Sequence, residues 1–215
     1  GAALAMTATG GATRLAATPG PDPLAPWQAA PAAAHPDPRV RAVAWAVLAP
    51  NPHNRQPWIV ELIGEAEALV HCDLDRRLED TDPFDRQITI GFGCFLELMR
   101  MAAASERRSF TVTPFPDGEP GSRLDHRPVA HLAFGAPGTA APDPLFDHAL
   151  DRRTNKLPYD TVRPVPAAAL AALGRAAHRP GWIGTTAVPD RVAALRTLTT
   201  EAYAVEIGHP HTLWE

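Results

Sequence analysis

The sequence predicts an α+β fold: a mainly antiparallel sheet flanked by helices, followed by the start of a second unit. Three observations predict it. Apolar runs bounded by turn residues occur in pairs, 58–62 with 69–75 and 110–115 with 129–134. Segments with helical spacing of apolar residues lie between and around those pairs. After residue 142, helix signals again accompany a strand signal. The pairing of the strands in the first part looks antiparallel, which favours α+β over a doubly wound parallel sheet.

The first 36 residues are rich in Ala, Pro and Gly and carry no acid before Asp22. They read as a mobile or loosely docked segment, either the later part of an export leader with its linker or a plain Ala/Gly tail. The first reading carries the expectation of an exported, periplasmic protein.

The first module is expected over 37–141. Asp37-Pro38 supplies an N-cap and a first-turn proline. Val40, Val43, Ala44, Val47 and Leu48 follow on one helical face, and Pro50 and Pro52 end the helix. WIVEL (58–62) and LVHCDLD (69–75) flank GEAEA as a hairpin. Asp82-Pro83 opens a second helix, with Ile88, Phe92, Phe95, Leu96, Leu98 and Met99 spread around its circumference. Such a helix belongs in a core or a subunit interface. FTVTPF (110–115) and VAHLAF (129–134) read as two more strands.

The second module is expected over 142–215. Asp143-Pro144 caps a short helix, Pro164 and Pro166 precede an alanine-rich helix at 167–178, WIGTTAV (182–188) reads as a strand, and a last helix runs from Asp190.

Composition excludes several functions. Lys plus Arg total 20 against 24 Asp plus Glu, and 20 − 24 gives a net charge of −4. That balance lacks the electrostatic footprint of a nucleic-acid binder. No run reaches the ~18 to 20 apolar residues of an integral membrane span. Cys72 and Cys94 have no metal-type spacing and read as two inert core thiols. His209 and His211 sit near the chain end and are assigned no metal.

None of the common catalytic or nucleotide-binding motifs occurs. Two polar clusters stand out instead. The first is Pro50-Asn51-Pro52-His53-Asn54-Arg55-Gln56-Pro57-Trp58, between a helix end and a strand start. It is open to two readings: a fixed loop facing a ligand, or a rigid turn whose amides satisfy their own backbone. The second is Asp151-Arg152-Arg153-Thr154-Asn155-Lys156-Leu157-Pro158-Tyr159. Its cations and hydroxyl suit a phosphate, or else complement a helix end. Lys156 is the only lysine in the chain, which sets it apart from ordinary usage here. A third stretch, DRRLEDTDPFDRQ (75–87), reads as a salt-bridged loop feeding a helix N-terminus, without chemistry.

NPHNRQPW resembles the flavin-lining N-x-Q-P-W stretch of the nitroreductase family, and DRRTNKLPYD resembles its R-x-S-x-R/K-x-F phosphate stretch. In ordinary members the phosphate stretch comes first; here the order is inverted across about a hundred residues. That order, with D-P-x-D-R-Q at 82–87 and a twin-arginine-type leader remnant, resembles the family's fused two-module branch, in which one chain imitates the dimer. The resemblance covers roughly 38–215 and suggests a fragment of such a chain. Asn51, Thr154 and the displaced aromatic Tyr159 depart from the family pattern, and no basic C-terminal segment follows.

The resemblance implies an FMN cofactor. Asn54 and Gln56 would hydrogen-bond the flavin, with Trp58 packed beneath the loop. Arg152, Thr154 and Lys156, with Arg153 as a further contributor, would meet its phosphate and ribityl chain. The implied activity takes hydride from a reduced nicotinamide to a nitroaromatic, quinone or similar small-molecule acceptor. The implied assembly is a pseudo-dimer within one chain, or a homodimer. The alternatives are a non-catalytic flavin-sequestering protein and a purely structural or interaction domain.

Overall fold

The computed structural model describes residues 4–6, 15–17, 22, 24–32, 34–176 and 184–213. Most of the leader-like segment, the start of the strand expected at 182–188 and residues 177–178 of the alanine-rich helix lie outside the described residues. The chain forms two compact units, one from 1–77 and 82–152, the other from 78–81 and 153–215.

In the first unit, β1 (Leu4–Met6) and β2 (Leu15–Ala17) pair antiparallel as a short ribbon. Helix α1 (Ala25–Ala32) packs against α2 (Pro38–Ala46) and buries Ala30, in a segment whose composition suggested a loosely docked linker. Helix α2 begins as the sequence predicts: Asp37 accepts from the Arg39 amide at 2.8 Å, with Pro38 in the first turn. Arg39 then bonds the carbonyls of Ile63, Gly64 and Glu67, tying the helix start to a hairpin end.

The sheet is antiparallel throughout, in the order β3 (Trp58–Ile63), β4 (Glu67–Cys72), β6 (Ala130–Pro137), β5 (Arg108–Pro114). The α+β expectation therefore holds. Alternation sets its inner face: Ala68, Val70 and Cys72 of β4 and Ala130, Leu132 and Phe134 of β6 are all buried. Strand β4 ends at Cys72, short of the expected 75, because Asp73 caps a 3-10 turn over Leu74–Arg76 by accepting from Asp75 N–H at 3.2 Å.

Helix α3 (Arg86–Ser105) lies against α2 and β5. Ile88, Phe92, Phe95 and Met99 form one buried stripe, whereas Ile90 is 59% exposed. The helix is thus one-sided, with Leu96 and Leu98 only half-buried, rather than buried all round. It is also long and apolar enough, by length and composition, to cross a bilayer, which the count of consecutive apolar residues missed.

The helix starts at Arg86 and not at Asp82-Pro83, because Asp85 adopts a left-handed backbone, φ +53°. Asp82 still serves the helix, accepting from Arg86 N–H at 2.8 Å and Ile88 N–H at 2.9 Å. The salt-bridged character expected of 75–87 is present. Asp85, with no exposed side chain, accepts from Arg123 Nη2 and Leu124 N–H at 2.9 Å each and lies 3.6 Å from Arg77. The helix expected after Asp143-Pro144 is a 3-10 helix, Pro144–His148, capped by Asp143 through Leu145 N–H at 3.0 Å.

The second unit contains α4 (Ala167–Ala176) and α5 (Pro189–Gly208), neither with a buried residue. Residues 184–188 are not a strand: Val188 instead leads directly into α5 as its N-cap, and its N–H bonds Thr186 Oγ1 at 3.3 Å.

Candidate functional site

Helix α2 ends where the first polar cluster begins, and the cluster ends where β3 starts. Between them the backbone is unusual. His53, Asn54 and Gln56 all have positive φ, +49°, +52° and +51°, in a 3-10 turn over Pro52–Asn54 and its exit. Non-glycine residues held there cost ~1 to 3 kcal/mol each, so the surroundings must enforce the shape.

Several bonds do so. Asn51 Oδ1 accepts from Gln56 N–H at 2.9 Å, closing the loop on itself, while Asn51 Nδ2 donates to Ala49 O at 3.2 Å. Arg55 donates to the carbonyls of Arg76 at 2.9 Å and Asp75 at 3.2 Å, and Arg76 returns a bond to the Arg55 carbonyl at 3.2 Å. From below, α3 comes close enough that a Cβ on Gly91 would sit 3.3 Å from Asn51 Cβ and 3.4 Å from Pro52 Cδ. A side chain at 91 would require the Asn51 side chain to give by a few tenths of an ångström.

Within the frame the amides form a relay. Trp58 Nε1 donates to Gln56 Oε1 at 2.8 Å, and Gln56 Nε2 donates to Asn54 Oδ1 at 2.9 Å. The Trp58 ring stacks on Phe95, centroids 4.7 Å apart, and meets Phe92 edge-on at 5.1 Å. The end of the relay, Asn54, is exposed, as is His53. An amide has more donor and acceptor capacity than this relay uses. The site therefore presents amide groups of fixed orientation at the surface of a packed core.

The second cluster is divided between the units. Arg152 ends the first unit, donating from Nη2 to the Leu48 carbonyl at 2.8 Å with its guanidinium carbon 6.0 Å from the Trp27 ring centroid. Leu48 lies in the turn that leads from α2 into the polar loop, so Arg152 is fixed at the loop's origin. Arg153, Thr154 and Lys156 belong to the second unit, are exposed, and lie in a segment without helix or strand. Within the segment, Asn155 Oδ1 accepts from Leu157 N–H at 3.0 Å. The helix-end alternative for these cations does not apply to 153–156, since no helix ends there.

Composition offered no sign of two features: the anchoring of Arg152 on Leu48 and the relay from Trp58 to Asn54. The only hint was the i, i+2 spacing of 54, 56 and 58. Both cysteines are free, and burial pushes their thiols up, that of Cys72 to about 12, so neither is a ready nucleophile. Among the described residues no group of three or more His, Cys, Asp or Glu is placed to hold a metal ion.

No family model matches the chain. It is 31% identical over 126 residues, 56% of this chain and 35% of the relative, to the uncharacterized protein Rv3127 of Mycobacterium tuberculosis. It is 33% identical over 122 residues, 55% of this chain and 34% of the relative, to a Mycobacterium tuberculosis protein named "Putative NAD(P)H nitroreductase acg". The matched stretch thus spans about a third of the length of these curated relatives.

Proposed function

We propose that this chain is a nitroreductase-like oxidoreductase, or a large part of one, that uses FMN to pass hydride or electrons from a reduced nicotinamide to a nitroaromatic, quinone or similar small acceptor. The observation that carries the reading is the loop over 51–58. It holds Asn54 and Gln56 in left-handed backbone conformations and orients their amides through Trp58. A strained, over-determined loop with outward amides is an arrangement suited to recognising the polar edge of a planar ligand. The similarity to a protein named as a nitroreductase supports the oxidoreductase class.

Each polar cluster by itself has donors of the kind an FMN-like group would need. When bound, the flavin supplies the electron-transfer chemistry, and the protein's part is to bind and orient it. Gln56 Nε2 has a second hydrogen beyond its bond to Asn54, and Asn54 Nδ2 donates to nothing among the described residues, so both can meet carbonyl acceptors. Arg153, Thr154 and Lys156 offer charge and a hydroxyl to the phosphate and ribityl chain, and Arg152 contributes as a cation held in place by Leu48.

The test is an absorbance spectrum of the protein after loading with FMN and desalting, followed by nicotinamide oxidation with a nitroaromatic acceptor. A flavin spectrum with turnover is the expected outcome. A spectrum without turnover favours sequestration of the cofactor, and a colourless protein overturns the flavin reading.

A further inference from the structure

The second unit holds a cavity of its own, about 460 Å³, framed by the loop 159–165, by Leu170 of α4 and by the first two turns of α5. That volume lies within the ~300 to 1,000 Å³ of small-molecule sites. Its apolar wall comes from Val165, Leu170, Val192 and Ala193. Arg163 and Arg196 also line it, against the single carboxylate of Asp160.

The carboxylate is engaged in shaping the loop. Asp160 Oδ1 accepts from Val162 N–H at 3.1 Å and Arg163 N–H at 3.2 Å, and its other oxygen lies 3.9 Å from Arg163 Nε. The turn so formed sets the position from which Arg163 leaves the backbone. Arg196 has no ion pair among the described residues. An apolar wall beside two arginines, with the one acid already bonded to backbone amides, is complementary to a molecule of opposite character.

We propose that this cavity binds a small organic anion: an aromatic or aliphatic body against Val165, Leu170 and Val192, with its carboxylate, sulfonate or phosphate between Arg163 and Arg196. Its lining includes none of residues 51–58 and 152–156, and the proposal does not depend on the flavin reading.

The test is a fluorescence titration of the full chain with anilinonaphthalene sulfonate, beside its uncharged analogue phenylnaphthylamine. The anionic dye binds the parent protein, and Arg196→Gln and Arg163→Gln each weaken it about tenfold, as loss of one charge-assisted bond does. The uncharged dye binds the parent and both variants alike. Both arginines are exposed, so circular dichroism spectra of the variants overlay the parent's. Unchanged affinity for the anionic dye in both variants overturns the proposal. Stoichiometric displacement of the dye by FMN overturns it as well, since the cavity would then belong to the flavin.

Discussion

The indole of Trp58 donates to Gln56 Oε1 at 2.8 Å while its ring stacks on Phe95 at 4.7 Å. One side chain thus joins the packed face of α3 to the polar loop, and the orientation of the half-buried Gln56 amide is set by the buried face of a helix. Phenylalanine at 58 would keep most of the stack and remove the donor. Trp58→Phe is expected to cost ~1 kcal/mol of stability, the net worth of a hydrogen bond. It also frees the Gln56 amide to rotate, so FMN affinity falls several-fold in a fluorescence-quenching titration. Affinity within twofold of the parent would show that the relay orients nothing the ligand uses.

Two positions on α3 separate its faces. Phe95 is wholly buried and Ile90 is 59% exposed. Phe95→Ala is expected to lower unfolding free energy by ~3 to 5 kcal/mol, and Ile90→Ala by less than ~0.5 kcal/mol. Urea denaturation measures both. Similar losses at the two positions would contradict the one-sided packing.

Asp85 is the most demanding buried group in the first unit. It accepts from Arg123 and from the Leu124 amide, with Arg77 at 3.6 Å. Asp85→Asn leaves the shape nearly intact but removes the charge that two guanidinium groups face. Breaking such a buried pair costs ~3 to 5 kcal/mol. A loss below ~1 kcal/mol in urea denaturation would mean that water reaches the arginines well enough to replace the carboxylate.

Much of this architecture was legible because local chemistry and tertiary packing agree. Asp37-Pro38 both signals and makes the start of α2, and the apolar runs at 58–62 and 69–75 both signal and largely make the β3–β4 hairpin. The signals failed where a backbone turned left-handed without glycine. Asp82-Pro83 reads as a cap and first turn, yet Asp85 at φ +53° delays the helix to Arg86. The same applies to the candidate site. The residue types at 54, 56 and 58 suggested a polar loop, but their mutual bonding follows from positive φ at Asn54 and Gln56, which no spacing rule encodes. The described part of the strand expected at 182–188, residues 184–188, failed differently: an apolar run says nothing of whether a neighbouring strand pairs with it, and none does among the described residues of that unit.

Acid titration has a clear signature at Asp125. Arg127 bonds its carboxylate through both the side chain and the backbone amide and holds it down at about 2. A carboxyl whose folded value is depressed contributes above its unfolded value, near 3.8, and loses that contribution as pH falls toward 2. Carbon-detected NMR should place the Asp125 midpoint near the bottom of the carboxyl range, and Arg127→Gln should return it toward the ordinary value. An ordinary midpoint in the parent would mean that the pair does not persist in solution.

Lys156 offers the sharpest test of the flavin reading, since it is the only lysine in the chain and stands exposed in a segment without regular structure. A role in capping a helix is excluded by the local structure, so its charge serves either a ligand or general solvation. A phosphate distinguishes the two. Charge-assisted bonds to an anion are worth ~1.5 to 3 kcal/mol each. Lys156→Ala is therefore expected to weaken FMN binding by ~tenfold to a hundredfold while leaving riboflavin, which lacks the phosphate, nearly unaffected. Lys156→Arg should recover most of the loss, because arginine keeps the charge and adds a second donor to the same oxygens. Raising the salt concentration should narrow the gap between FMN and riboflavin in the parent and leave Lys156→Ala almost indifferent, as screening requires at an exposed site. Equal losses for both flavins would remove Lys156 from the phosphate site.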